Sequence, residues 1–254
     1  MFKNRKANRT QRAPARIIGH GTPFLYEEAF NGIRTNLQFA AIGKACKLFA
    51  VTSAIPNEGK SAVSINLAVS TARLGKRVCL IDGDMRCPIV HRYLHMENAE
   101  GQGILGALLD DAWDGQTVRL EEYGIDVLAV DRIPPNPSEL LASERMKAVL
   151  ARLSERFDYI FIDTPPVGAV SDAAVLAPLT DGVILVVRQN FSTYAEVRQA
   201  KENLTMTGAH IVGAILNDYD VKTSGAEGYA RHYYYYSSQK DGEITGTTPA
   251  GAKK

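Results

Sequence analysis

Short apolar runs alternate with segments of helical period along most of the chain. The apolar runs predict six strands, at Lys47–Ser53, Arg77–Asp82, Ile125–Val130, Tyr159–Asp163, Val183–Val187 and Ile211–Leu216. Apolar residues recur three or four positions apart in other segments and predict helices, at Glu27–Ala41, Ser61–Leu74, Ser138–Arg156 and Thr193–Thr205. Continuous apolar strands separated by helices are typical of parallel sheets covered on both faces. The pattern therefore predicts an α/β fold with a mostly parallel sheet flanked by helices.

The two ends of the chain lack this alternation. Residues 1–26 carry six basic side chains and no acidic one, which indicates a solvated arm or, alternatively, a tether to anionic lipid or to an acidic partner. From residue 225 onward the chain has no apolar periodicity, which predicts a flexible, tyrosine-rich tail over residues 225–254. The main domain is predicted to span residues 27–224.

Composition excludes several classes of protein. The chain has 254 residues with 29 Lys and Arg against 28 Asp and Glu, so its net charge of +1 argues against a nucleic-acid partner bound through global charge. The three cysteines have no paired spacing, which argues against a disulfide framework and a zinc site. No apolar run approaches the roughly 18–20 residues needed to cross a bilayer. These features predict a cytoplasmic protein.

A phosphate-binding loop follows the first predicted strand. Residues 54–61 read AIPNEGKS and fit the template GxxxxGK[ST], except that Ala54 replaces the first glycine. In such a loop Gly59 allows close approach of the backbone to phosphate, Lys60 reaches the β- and γ-phosphates, and Ser61 ligates Mg²⁺. An accidental strand–turn–helix corner is the alternative. The predicted nucleotide contacts are Pro56, Asn57, Glu58, Gly59, Lys60, Ser61 and Ala62.

Aspartates stand at the ends of two other predicted strands. Asp82 and Asp84 follow one apolar run, and Asp163 ends another. The carboxyl ends of parallel strands meet at one sheet edge, where ligands bind, and carboxylates there suit Mg²⁺. A lone aspartate at a strand end is more often a helix cap, but three beside a phosphate-binding loop indicate a nucleotide site. The sequence therefore predicts a nucleotide site with Mg²⁺, and the nucleotide is ATP by the resemblance described next.

These motifs together resemble those of the bacterial tyrosine kinases of capsule and exopolysaccharide synthesis. The resemblance rests on the phosphate-binding loop, on the segment from Asp82 to Arg86 and on Asp163 with the Thr-Pro-Pro that follows, and it covers roughly residues 22–220. It implies a Rossmann-like P-loop NTPase fold related to the MinD/ParA group. It also implies an ATP-dependent protein-tyrosine kinase that autophosphorylates its C-terminal tyrosines in trans and regulates capsular or exopolysaccharide synthesis and export.

The resemblance assigns roles by motif position. Lys60 would hold the phosphates, and Asp82 would assist the attacking tyrosine hydroxyl with Asp84 beside it on the metal side. The metal shell would comprise Ser61, Asp82 and Asp163. Asn217, after the last predicted strand, stands where relatives contact the adenine. Arg86 could support either the phosphates or the geometry of its loop.

The tail carries a cluster of tyrosines, Tyr229, Tyr233, Tyr234, Tyr235 and Tyr236. On sequence grounds alone this could be a low-complexity end, although exposed aromatic residues invite association unless they are used. Members of the resembled family end in such clusters, which a neighbouring subunit phosphorylates. We therefore expect these tyrosines to be phospho-acceptors, whose added charge would loosen the assembly.

The resemblance also implies partners. Relatives close into rings through an E-x-x-R-x-x-R element, of which this chain keeps Glu28 and Arg34 but has Asn31 in the middle. Asn cannot form the bidentate carboxylate pair that Arg forms, which weakens the expectation of a ring. A transmembrane polysaccharide co-polymerase that activates the kinase and a cognate tyrosine phosphatase are the other partners implied. Such an activator would place the chain peripherally at the inner face of the cell membrane.

Two other functions compete with the kinase. One is a MinD/ParA-like ATPase switch, but proteins of that kind carry a signature lysine where this chain has Ile55. The other is a non-catalytic, ATP-binding regulator of polysaccharide assembly, against which the retained Lys60, Asp82, Asp84 and Asp163 argue.

Overall fold

A seven-stranded sheet organises the protein. The computed structural model describes residues 16–40, 42–43, 47–96 and 103–220. The strands in this part of the chain are β1 Lys47–Ser53, β2 Val78–Asp82, β3 Val118–Leu120, β4 Ile125–Leu128, β5 Tyr159–Asp163, β6 Gly182–Arg188 and β7 Ile211–Asn217. They lie in the order β3-β4-β2-β5-β1-β6-β7, and each neighbouring pair is parallel except β3 with β4. The predicted α/β fold with a mostly parallel sheet is confirmed.

Helices cover both faces of this sheet. The α-helices of the described residues are α1 Phe24–Ala40, α2 Lys60–Ala72, α3 Val90–Tyr93, α4 Ile104–Leu109, α5 Pro137–Leu141, α6 Glu144–Arg156, α7 Asp172–Leu176 and α8 Tyr194–Met206. Successive residues of β5 lie on opposite faces of the sheet. Phe161 packs with α1 and α2, whereas Ile160 and Ile162 pack with α4 and α6. Helix α2 lies deepest, and its residues from Val63 to Thr71 are buried. The central strands are therefore covered on both faces, whereas the edge strand β7 stays partly exposed, and the strand ends remain for a site.

The strand register brings the motif aspartates together. Strand β5 pairs with both β1 and β2, so that Asp163 lies opposite Val51 on one side and Asp82 on the other. The loop that follows β1 leads directly into α2. The carboxyl ends of three adjacent parallel strands therefore converge beneath the phosphate-binding loop, as the sequence predicted.

The structure departs from the predicted elements at three places. The prediction missed β3, because three half-exposed residues in an antiparallel edge strand carry too little apolar pattern. The predicted helix over residues 138–156 is two helices, because Ser143 accepts a hydrogen bond from the Met146 N–H and starts α6 as its N-cap. The packed domain also begins earlier than residue 27, since Ile18 is buried and α1 starts at Phe24.

Candidate active site

The phosphate-binding loop has the backbone geometry of a turn that only particular residues tolerate. Asn57 and Gly59 have φ angles of 74° and 91°, in the left-handed region. A Cβ atom added to Gly59 would lie 2.2 Å from the Asn217 side-chain nitrogen. Both conformation and space therefore require glycine at position 59, immediately before the first residue of α2.

Glu58 supports this loop from behind. Its side chain is fully buried, and its carboxylate accepts hydrogen bonds from the Ile55 N–H at 3.0 Å, the Arg188 N–H at 3.2 Å and the Ser192 hydroxyl at 2.7 Å. These bonds tie the loop to the end of β6 and to the segment before α8. Glu58 was predicted as a nucleotide contact, but its side chain is engaged within the protein, so its contribution to a nucleotide site comes from its main chain.

Asn217 belongs to the same support. It ends β7, and its side-chain N–H donates a hydrogen bond to the Glu58 carbonyl at 2.8 Å. The sequence placed Asn217 at the nucleotide site through family position alone. The structure brings it to the loop by this specific contact.

Lys60 lies among the three motif aspartates. Its Nζ atom is 2.9 Å from Asp84 Oδ2 and 3.8 Å from Asp163 Oδ2. Asp82 lies on the neighbouring strand end, where its carboxylate accepts hydrogen bonds from the N–H groups of Asp84 and Val90. Asp82 and Asp163 are fully buried. Three carboxylates thus surround a single buried ammonium group.

This imbalance of charge shifts the titration of the cluster. Burial, together with the charges of Asp163 and Asp84, raises the pKa of Asp82 well above its ordinary value of 3.8. Burial also raises the pKa of Asp163, although Lys60 opposes that rise. Burial would lower the pKa of Lys60, but the charges of Asp163 and Asp84 outweigh it and the net shift is upward. The ammonium group therefore stays charged, and the carboxylates favour an additional cation.

The residues present fit Mg²⁺ with phosphate. Asp163 Oδ2 is buried and has no hydrogen-bond partner among the described residues. Ser61, the second residue of α2, adds a hydroxyl oxygen near Asp163 and Lys60. The described residues contain no group of three or more His, Cys, Asp or Glu side chains that alone forms a metal cage. Hard oxygen ligands without a closed cage are typical of Mg²⁺ sites completed by substrate phosphates.

Arg86 forms an ion pair that the sequence did not reveal. Its guanidinium donates to both oxygens of the fully buried Asp172, at 2.8 and 3.0 Å, and to the Ser138 hydroxyl at 2.9 Å. The bond to Asp172 raises the pKa of Arg86. Of the two roles left open for Arg86, these contacts favour support of the loop after β2. In the sequence, the one feature that could have pointed to this ion pair was the acidic residue Asp172 at the start of α7.

A cavity of about 360 Å³ opens above these groups. Its walls include the predicted contacts Pro56, Asn57, Gly59, Lys60, Ser61 and Ala62, together with Asp84 and Arg86. Ile89, Tyr93, Pro165 and Pro166 supply an apolar side that sequence reasoning did not identify. The predicted tyrosines, Tyr229 and residues 233–236, lie outside the described residues, as do residues 1–15 of the basic arm.

The proposed interface residues on α1 make contacts within the chain. Asn31 donates a hydrogen bond to Glu28 at 2.8 Å and accepts one from Arg34 at 2.8 Å. Arg34 also donates to the Ser70 carbonyl at 2.8 Å and to the Ser70 hydroxyl at 3.0 Å. Asn31 thus bridges Glu28 and Arg34 through hydrogen bonds. Arg34 in turn connects α1 to α2, the helix that begins at Lys60.

Comparison with known proteins identifies the family. The family model for ParA, described as NUBPL iron-transfer P-loop NTPase, matches residues 45–236. The chain is 37% identical over 226 residues to tyrosine-protein kinase YwqD of Bacillus subtilis, an alignment that covers 88% of this chain and 94% of YwqD. The chain belongs to the bacterial tyrosine-protein kinases, within the ParA-like P-loop NTPases.

The relatives differ in length. The putative tyrosine-protein kinase AmsA of Erwinia amylovora is 37% identical over 227 residues, and the match covers 89% of this chain but 31% of AmsA. The chain thus spans nearly the whole of YwqD and about a third of AmsA.

Solved structures agree with this assignment. The kinase domain of the Escherichia coli tyrosine kinase ETK superposes with a TM-score of 0.74 at 33% identity, covering 86% of this chain and 87% of that one. The chimerical protein CapA2B2 gives 0.70 at 36% identity, covering 76% and 84%. Cobyrinic acid a,c-diamide synthase of Mycobacterium smegmatis, solved with an ATP analog and magnesium, gives 0.61 at 18% identity over 74% and 78%, which shows the fold alone. The expected P-loop NTPase fold is confirmed.

Proposed function

We propose that this chain transfers the γ-phosphoryl group of ATP to protein tyrosine, with Mg²⁺ as cofactor. The observation that carries this proposal is the cluster of Lys60, Asp82, Asp84 and Asp163 beneath a phosphate-binding loop. Phosphoryl transfer requires mainly positioning and charge neutralisation, and this cluster can supply both.

Each residue has a role that follows from its place. Lys60 binds the β- and γ-phosphates, and the loop N–H groups from Asn57 to Ala62 hold the phosphate oxygens through the start of α2, with Pro56 lining the loop without an N–H of its own. Ser61 and Asp163 hold the metal, with Asp84 on the same side. When bound, Mg²⁺ supplies neutralisation of the phosphate charge. Asn217 braces the loop and lies on the adenine side.

Asp82 is the proposed proton acceptor. Burial and the neighbouring carboxylates raise its pKa, which makes it a stronger proton acceptor than an ordinary aspartate. The tyrosine oxygen attacks the γ-phosphorus as its proton moves to Asp82, while the bond from the γ-phosphorus to the bridging oxygen breaks and ADP leaves.

The proposed acceptors are the chain's own tyrosines in a second copy. Tyr229 and Tyr233–Tyr236 occupy a segment whose sequence predicts flexibility, which would give it a high effective concentration near a neighbouring active site. Glu28 and Arg34 are the proposed contacts between copies, in a homo-oligomer that need not be a ring. Each phosphate adds about −1.5 to −2 charges, which would loosen that oligomer.

The proposed setting is polysaccharide synthesis and export at the inner face of the membrane. No helix among the described residues is long and apolar enough to cross a bilayer. A transmembrane activator would recruit the chain there, and a tyrosine phosphatase would reverse the modification. The similarity to the CapA2B2 chimera and the greater length of relatives such as AmsA are consistent with such a partner.

The test is incubation of the purified chain with ATP and Mg²⁺, with and without an activator peptide, followed by mass spectrometry of residues 228–240. Phosphate on the tyrosines should vanish in Lys60→Met and Asp82→Asn and persist in Lys201→Met, which removes an exposed lysine from α8. ATP hydrolysis with an unmodified tail, even with activator, would instead favour the ParA-like ATPase switch. Binding of ATP without any turnover would favour the non-catalytic regulator.

A further inference from the structure

A second cleft adjoins the active-site cavity. It has a volume of about 520 Å³ and lies between the loop after β2 with α3 on one side and the segment after β4, residues 130–133, on the other. Arg86, Cys87 and Ile89 line both the cleft and the active-site cavity. The cleft therefore lies next to the proposed site of phosphoryl transfer, beside the loop that carries Asp84.

The charge of this cleft is positive. Arg92 and Arg132 are exposed, and neither forms an ion pair with another described residue. Arg86 is neutralised by Asp172. The acid in the lining is Asp131, whose Oδ1 accepts the Leu105 N–H at 3.0 Å. With Arg86 paired to Asp172, the lining carries the two guanidinium groups of Arg92 and Arg132 against the one carboxylate of Asp131, which leaves it net positive.

His91 supplies a polar atom within this lining. Its Nδ1 is buried and has no hydrogen-bond partner among the described residues. Burial and the charge of Arg92 lower the pKa of His91, so its ring is neutral at neutral pH and can donate or accept one hydrogen bond. An anion in the cleft would meet the two arginines beside this neutral ring.

The cleft also has an apolar rim. The Ile133 side chain is 65% exposed, and Pro88 lies across from it in the lining. A ligand that fits both features carries a phosphate on an apolar group, since planar guanidinium groups bind phosphate oxygens in pairs. Phosphotyrosine has this chemistry, and its ring can pack on Ile133.

The sequence contains several such groups side by side. Tyr233–Tyr236 are consecutive, and an extended chain advances about 3.3 Å per residue. A phosphotyrosine held in one site therefore leaves an unmodified tyrosine a short step away. Two adjoining sites could engage two residues of one tail at once.

Building on the proposed kinase function, we propose that the cleft formed by His91, Arg92, Arg132 and Ile133 binds a phosphotyrosine already made in the tail of a second copy. The bound phosphate holds the next tyrosine of that tail at the active site. Phosphorylation of the cluster is then processive after its first event.

A binding experiment tests the cleft without requiring catalysis. The probes are fluorescent peptides of residues 228–240, one with phosphate on Tyr233 and one unmodified, titrated with the full chain carrying Lys60→Met. We expect the phosphopeptide to bind at least tenfold more tightly than the unmodified peptide. Arg92→Gln with Arg132→Gln should abolish that difference, whereas Arg198→Gln with Lys201→Gln, an equal change of charge on α8, should keep it. If the two double variants show the same preference for the phosphopeptide over the unmodified peptide, the proposal is wrong.

The distribution of phosphates tests processivity. In the active chain, tails with several phosphates should accumulate while most tails are unmodified. The Arg92→Gln and Arg132→Gln variant should first accumulate singly phosphorylated tails, with the rate of the first event changed less than twofold. An unchanged distribution would overturn the inference while leaving the kinase function intact. If no variant transfers phosphate to tyrosine, the kinase function is refuted. The peptide titration still tests whether the cleft binds phosphotyrosine.

Vesicles separate this ligand from a lipid headgroup. If the two arginine substitutions reduce binding to vesicles of anionic phospholipid but leave the phosphopeptide affinity unchanged, the cleft is a membrane contact and the proposal is wrong. Both arginines are exposed, so the substitutions should leave the unfolding midpoint in urea unchanged. Lys at both positions should restore part of the affinity, because it keeps the charge without the paired geometry.

Discussion

Lys60 and Asp84 form a buried ion pair of 2.9 Å that joins the start of α2 to the loop after β2. This contact fixes the phosphate-binding lysine relative to the aspartates at the strand ends. It also keeps the lysine charged despite its burial, because Asp163 and Asp84 raise its pKa. The position and charge of Lys60 thus depend on aspartates that lie outside the phosphate-binding loop itself.

The excess of carboxylate in this cluster predicts that Asp82→Asn stabilises the free protein. The raised pKa of Asp82 means that the folded chain binds more protons than the unfolded chain between the ordinary value of 3.8 and the folded value, so stability falls as pH rises through that range. We expect Asp82→Asn to gain about 1 kcal/mol in unfolding free energy at pH 7, with the gain shrinking as pH falls from the raised pKa of folded Asp82 toward 3.8 and absent below about pH 4. Urea unfolding across this pH range measures it.

The same substitution should eliminate tyrosine phosphorylation, because it removes the proton acceptor. Lower stability of Asp82→Asn than of the unchanged chain at pH 7 would contradict the assigned charge imbalance. Saturating ATP with Mg²⁺ should reduce the gain in unfolding free energy, because a bound cation offsets the charge of the buried carboxylates.

The brace at Glu58 predicts a loss of both stability and ATP affinity. Glu58→Gln replaces an acceptor of three hydrogen bonds by an amide that would turn a donor toward other donors, at a cost of about 2–3 kcal/mol. The Michaelis constant for ATP should rise as the loop loosens. Ser192→Ala removes one of these bonds and should cost about 1 kcal/mol. Equal losses of unfolding free energy in Glu58→Gln and Ser192→Ala would contradict a support in which the Glu58 carboxylate holds three donors.

Asn217 provides a test of base recognition. Asn217→Ala removes the hydrogen bond to the Glu58 carbonyl and should weaken ATP binding about tenfold, the value of one such bond. If Asn217 also contacts adenine, ATP affinity should fall more than GTP affinity in direct titrations. Equal losses for the two nucleotides would confine Asn217 to support of the loop.

Arg34 predicts a larger effect on folding than a surface ion pair between the same helices. Arg34→Ala removes the Arg34 donor from the Ser70 carbonyl and from Asn31 Oδ1, which keeps the Ser70 hydroxyl as a donor, and should cost about 1–3 kcal/mol in urea unfolding. Arg73→Ala breaks the exposed pair with Glu27 and should cost less than about 1 kcal/mol. Under conditions where Arg34→Ala remains folded, its sedimentation tests the proposed contact between copies. Unchanged association would restrict Arg34 to its place within the chain.

The local hydrophobic pattern was sufficient to predict the strands that are continuous apolar runs. Strands β2 and β5 are continuous apolar runs ending in motif aspartates, and β1 leads directly into the phosphate-binding loop, so their positions and the meeting of Asp82 with Asp163 were predictable. The edge strand β3 was not, because it is short and half exposed. Ser143 was equally hidden, since a cap in the middle of an apolar period reads as helix.

Contacts between distant segments were beyond the sequence. The Glu58 carboxylate occupies a variable position of its motif, and its partner Ser192 lies 134 residues away. The pairing of Arg86 with Asp172 spans 86 residues and joins a motif to a helix that carries none. Such partners are set by the packing of β6 and α7 against the sheet, which no local period records.

The central claim is transfer to tyrosines of a second copy, and a mixing experiment tests it most directly. One chain carries Lys60→Met with its tyrosines intact, and the other carries an intact site with Tyr229 and Tyr233–Tyr236 changed to Phe. The mixture is incubated with ATP, Mg²⁺ and the activator peptide, and the tails are analysed by mass spectrometry. We predict phosphotyrosine on the Lys60→Met chain in the mixture and none when that chain is alone. Unmodified tails in the mixture, with ATP hydrolysis by the second chain intact, would contradict the account.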